Sequence, residues 1–168
     1  PVGAPKQSIN CSARLIPKMA RLERVDNWPI LLSDYLTSVR KKPLVWGEHD
    51  CVLFSLTAAS ILTGIDVTCE FRGKYSNAIG AAKLMAKLFG VTSLTEAANS
   101  FGKRFDAEEV LVSFAQRGDI VEAEITLPEG GTAPALGIVD LDSRYALFVG
   151  EQGLVRYLIS DCKRAWKI

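Results

Sequence analysis

The chain has 168 residues, 48% of them hydrophobic and 23% charged, with a formal net charge of +1 at pH 7. That length is most simply one domain, and it is enough to bury a core without disulfide staples. The near-neutral balance gives no electrostatic case for a nucleic-acid or membrane-surface partner, and no apolar run approaches the roughly 18 residues of a membrane span.

Residues 1–26 read as an N-terminal extension or docking arm ahead of a single domain over 27–168. The first ten residues are polar and lack the apolar core of a signal peptide. The chain is therefore expected to stay in the cytosol where it is made, or to leave inside a larger particle. Leu15, Ile16, Met19 and Leu22 alternate with Arg14, Lys18, Arg21 and Arg24 at amphipathic spacing, interrupted by Pro17. Two readings stay open: a strap on its own domain, or an arm for a neighbouring subunit.

Trp28, Leu31, Leu32, Tyr35, Leu36 and Val39 recur at helical spacing and predict a first helix over 28–41. Asn27 is placed to cap it, Pro29 fits its first turn, and Pro43 stops it. A second helix is predicted over 51–63, with Asp50 as its N-cap and Gly64 as its stop. It has no polar stripe, as expected of a buried central helix. A third begins after Ser76 and ends at Gly90. Ser93-Leu94-Thr95-Glu96 has the capping-box pattern for a short fourth helix ending near Gly102. Residues 106–115 fit either a helix start or an alternating strand. Beyond Gly118, strand-like runs cover 120–125, 135–140, 145–149, 154–159 and 165–168, with a loop expected over 128–134. Helices first and an antiparallel sheet afterwards means α+β.

The chemistry concentrates in Trp46-Gly47-Glu48-His49-Asp50-Cys51, which holds the only histidine of the chain. Cys51 falls at about the first helical position, where the positive helix end favours thiolate over thiol. His49 is the only imidazole that could take its proton. Residues two apart do not face each other on a helix, so a dyad requires His49 to fold back from an extended turn. The alternative is a loop histidine bonded to nearby backbone, with Cys51 a small packing residue and Asp50 a plain cap. The remaining cysteines, Cys11, Cys69 and Cys162, are scattered without metal-ligand spacing. No metal or cofactor is called for, and reduced thiols are the expectation.

The order of these pieces resembles the NlpC-type branch of the papain-like cysteine peptidases. Asp50-Cys51 with Phe54 fits the start of the family's catalytic helix. Tyr75-Ser76 fits a helix start, Gly118-Asp119 the lead into a strand, and Gly137-Ile138 the strand that carries the base. The likeness covers about residues 43–150. The Trp46-Gly47-x-His49-Asp50-Cys51 variant and the ending Cys162-Lys163-Arg164-Ala165-Trp166 are closer to small proteins of tailed-phage tail gene clusters. The resemblance implies an NlpC-like α+β fold, with a Cys-bearing helix packed on a C-terminal antiparallel sheet or small open barrel. It also implies a virion tail location after assembly in the host cytoplasm. The implied partners are other tail or baseplate proteins and peptidoglycan. Carried over by position, Cys51 is the nucleophile, the base falls on Ala135, and the third polar position falls in the apolar run 145–148. Two functions follow as expectations. One is a structural or assembly component of a phage tail tip with a decayed site. The other is a cysteine peptidase or amidase cleaving peptidoglycan stem peptides, with Cys51, His49 and Asp50 as its catalytic residues.

Overall fold

The computed structural model describes residues 21–127 and 130–168. Most of the expected N-terminal arm, including Cys11, lies outside the described residues. The chain forms helices α1 (Trp28–Val39), α2 (Cys51–Thr63), α3 (Ala78–Phe89) and α4 (Leu94–Arg104). Strands β1 (Glu109–Val110), β2 (Ile120–Thr126), β3 (Thr132–Val139), β4 (Tyr145–Gly150), β5 (Gly153–Leu158) and β6 (Arg164–Trp166) follow. The class is α+β, as the order of helical and alternating patterns predicts.

The strands make one open antiparallel sheet in the order β1-β6-β2-β3-β4-β5. Because side chains alternate along a strand, the sheet buries two apolar faces. Ile120, Leu136, Ile138, Leu147 and Val149 join Leu32, Leu53, Phe54 and Leu62 of the helices. Val121, Ala123, Ala135, Val139, Ala146, Phe148 and Ala165 form a second cluster. Helix α2 has eight buried residues, including Leu53, Phe54, Leu56 and Leu62, which is why its sequence lacks a polar stripe.

Several boundaries differ from the sequence pattern, each for a local reason. The α1 helix ends at Val39, and the Asn27 side chain makes no cap bond. The α3 cap is Asn77 rather than Ser76, with the Asn77 side chain accepting from the Gly80 N–H at 2.8 Å. The Ser93 capping box forms as expected: its hydroxyl accepts from the Glu96 N–H at 3.2 Å. The ambiguous stretch 106–115 becomes the two-residue strand β1 and a 3-10 turn, Val112–Phe114. The expected loop over 128–134 is shorter, since β3 already starts at Thr132. Pro134 is tolerated there because β4 pairs with β3 only at Ile138 and Val139, so no ladder on that side needs its missing N–H.

The described end of the arm, residues 21–26, lies on its own domain. Leu22 is buried in the core and the Val25 N–H donates to the Leu62 carbonyl at 2.9 Å. Arg24 donates to the Asp119 carboxylate at 2.6 Å and to the carbonyls of Ile168 and Arg117, both at 2.7 Å. Its guanidinium also lies 4.4 Å from the Trp28 ring centroid. Asp119 in turn accepts from the Gln116 N–H at 2.8 Å and the Ile168 N–H at 3.3 Å. The Gly118-Asp119 pair is thus part of a clamp that ties the strap, the start of β2 and the residues after β6 together.

Candidate functional site

The head of α2 is built by Asp50. Its backbone is extended, and one carboxylate oxygen accepts from the N–H groups of Val52 at 3.1 Å and Leu53 at 3.0 Å. The other oxygen accepts from the Gly47 N–H at 2.8 Å. Three donors let the carboxylate sit fully buried. Ahead of it, residues 45–49 close on themselves: the His49 N–H donates to the Val45 carbonyl at 2.8 Å and the Val45 N–H to the His49 carbonyl at 3.0 Å. Gly47 has φ +76°, and a Cβ there would stand 1.9 Å from the Tyr75 carbonyl oxygen. Its own carbonyl accepts from the Gly73 N–H at 2.8 Å. Only glycine permits this close approach, which brings Tyr75 to the head of α2.

Cys51 is the first residue of α2, half-buried, with its thiol turned inward against the second apolar cluster. The thiol is pushed up from an ordinary 9.0 to about 11. Burial is the largest cause, and the Asp50 charge adds to it. The backbone of Leu136 and the first N–H groups of the helix pull the other way. The expectation that the helix terminus lowers this pKa is therefore reversed. Asp50 already takes two of the free N–H groups and adds a negative charge of its own, so desolvation wins.

His49 is buried, at 3% exposure, and its ring meets Phe54 edge-on with centroids 5.9 Å apart. Burial and then Lys42 lower its pKa against the pull of Asp50. Its Nε2 has no hydrogen-bond partner among the described residues, and no hydrogen bond joins the ring to Cys51. Chain proximity places His49 next to the cysteine, but the packing turns its ring onto Phe54. Ala135 is on β3 at 2% exposure, within the cluster against which Cys51 packs. Ala146 and Phe148 of β4 belong to the same cluster. The surroundings expected to hold a base and its orienting partner are methyl groups and a phenyl ring.

Tyr75 is the residue that spacing undervalues, since a tyrosine flanking a helix start reads as packing. Its hydroxyl is buried beside the Asp50 carboxylate. Burial first, then the negative charge of Asp50, the hydrogen bond the hydroxyl donates to that carboxylate, and the charge of an ionised Cys51 push its phenol far upward. Trp46, 36% exposed, lies beside it with ring centroids 6.5 Å apart at a steep angle. The structure therefore gathers Asp50, Cys51, Tyr75 and Trp46, with the His49 ring packed on Phe54. Among the described residues no group of three or more His, Cys, Asp or Glu side chains is arranged to hold a metal ion. No described helix is long and apolar enough to cross a membrane.

Residues 23–168 match a protein family described as a domain of unknown function, DUF6950, and the chain belongs to that family. No curated protein and no solved structure matches the chain.

Proposed function

We propose that this member of the family is a structural or assembly component of a bacteriophage tail tip or baseplate, built on an NlpC-like fold whose catalytic site has decayed. One observation carries the decayed-site reading: Cys51 packs against the buried apolar cluster that contains Ala135, the position at which the resembling peptidases hold their base. A thiol raised to about 11 is almost wholly protonated at neutral pH, and the thiolate is the nucleophile. The tail location and the tail partners rest on the likeness of the Trp46–Cys51 and Cys162–Trp166 motifs.

The test uses purified peptidoglycan and its stem peptides. The wild type should release no more new amino termini than the Cys51→Ala variant. Release by the wild type that disappears in Cys51→Ala would remove the reading. A second test asks for the chain by mass spectrometry in purified tailed-phage particles, where it is expected as a tail constituent.

The alternative is a cysteine peptidase or amidase. It is favoured by the sulfur at the head of a 13-residue helix, with the buried Tyr75 hydroxyl close enough to feel its charge. In that reading Cys51 attacks an amide carbonyl, His49 leaves Phe54 to take the thiol proton and pass it to the departing amine as the C–N bond breaks, and water then hydrolyses the thioester. The wild type then cleaves stem peptides and His49→Gln does not.

A further inference from the structure

A pocket of about 240 Å³ lies between the C-terminal half of α1 and the corner formed by the β3–β4 turn, β4 and β5. Ser33, Leu36 and Thr37 of α1 and its C-cap residue Arg40 line one wall. They are spaced i, i+3, i+4 and i+7 and so share one helix face. Leu36, Leu147 and Leu154 give the pocket an apolar floor, Ser33, Thr37 and Arg40 a polar side, and Asp140, paired with Arg156, part of the opposite wall.

The cations of this pocket are not equivalent. Arg156, on the far wall, is already neutralised. It donates to Asp140 at 3.5 Å and to Asp142, and lies 4.0 Å over the Tyr145 ring. Arg40 has no carboxylate within ion-pairing distance among the described residues. It stands next to Lys41 and Lys42 in sequence, which raises the local positive potential. The carbonyls at the end of α1 do not need it either. Thr37 accepts from the Arg40 N–H, Val39 from the Lys42 N–H, and Arg40 itself from the Leu154 N–H. An uncommitted guanidinium beside two hydroxyls, above a leucine floor, matches an anionic head on an aliphatic tail.

We propose that this pocket binds an aliphatic carboxylate, its head held by Arg40 with Ser33 and Thr37, its tail on Leu36, Leu147 and Leu154. The volume is below the usual range for drug-sized ligands, roughly 300–1,000 Å³, so a branched tail of about leucine size fits best. A free small acid and the C-terminal residue of a polypeptide offer the same chemistry.

The test is a titration of the full chain by amide NMR with N-acetyl-leucine, N-acetyl-leucinamide, N-acetylglycine and 4-methylpentanoate. N-acetyl-leucine should shift resonances of the second half of α1 and the start of β5. It should bind at least tenfold tighter than the amide, which lacks the carboxylate, and than the glycine analogue, which lacks the tail. Tighter binding of 4-methylpentanoate than of N-acetyl-leucine assigns the site to a free acid; the reverse order assigns it to a polypeptide C-terminus. Arg40→Gln should erase the preference for acid over amide while leaving the fold intact by amide dispersion. Arg40→Lys should keep part of the preference. Equal binding of acid and amide, unchanged preference in Arg40→Gln, shifts centred elsewhere, or no shifts from either acid at tens of millimolar would overturn the proposal.

Discussion

At Cys51 two opposing effects meet, and their balance decides what the sulfur can do. The helix end favours thiolate, but the thiol is desolvated and faces the Asp50 carboxylate. Its folded-state pKa is raised, so the stability that this group contributes is fully present below about pH 9. It is lost as pH rises toward 11. Urea unfolding at pH 9 and pH 11 should show the wild type losing about 2 kcal/mol more than Cys51→Ala over that interval. Equal losses would mean that the thiol is not buried as described. His49 has the opposite sign. Its pKa is lowered by burial, so its contribution is present above its ordinary 6.5 and is lost as pH falls through the folded value. The wild type should therefore lose stability below pH 6.5 more steeply than His49→Gln, measured by thermal melts across that range. Neither feature was legible in the spacing. A histidine two residues before a cysteine reads the same whether its ring meets sulfur or Phe54, and only tertiary packing distinguishes them.

At the scale of the element, the turn over residues 45–50 and helix α2 form one unit. Asp50 holds three N–H groups, and its loss leaves them in a buried place. Asp50→Ala should cost about 2 kcal/mol or more, the upper end for a helix cap, while Asp50→Asn, which keeps one acceptor, costs less. Gly47 allows no such compromise, because a Cβ there meets backbone. Gly47→Ala should destabilise by at least about 2 kcal/mol, read as the shift in urea midpoint. The bounds of α2 were fully legible, because Asp50 and Gly64 give unambiguous start and stop signals. The α3 start was displaced by one residue because Ser76 and Asn77 are both capable caps, and only the Gly80 N–H chooses between them. Strand β1 and its 3-10 turn were not legible, since two residues gain strand geometry only by pairing with β6, more than fifty positions away.

At the scale of the whole molecule, the α+β class and five of the strands follow from periodicity, while the placing of β6 between β1 and β2 does not. That placing is coupled to the Arg24–Asp119 clamp, which no local pattern announces. Both side chains are largely buried, at 16% and 1% exposure, so removing one leaves the other uncompensated. Arg24→Met should cost about 3–5 kcal/mol and Asp119→Asn distinctly less, by equilibrium unfolding. The same sheet fixes the candidate site, because it delivers Ala135, Ala146 and Phe148, rather than ionisable side chains, to the cluster beside the head of α2. Among the described residues no imidazole hydrogen bond reaches a sulfur so enclosed, and the proposed non-hydrolytic role depends on that. The pH dependence of iodoacetamide labelling, followed residue by residue with mass spectrometry, measures this directly. Cys51 should label slowly at pH 7, with a rate that rises about tenfold per pH unit without a plateau through pH 10. A plateau reached below pH 8, with Cys51 outpacing Cys162 at neutral pH, would contradict it.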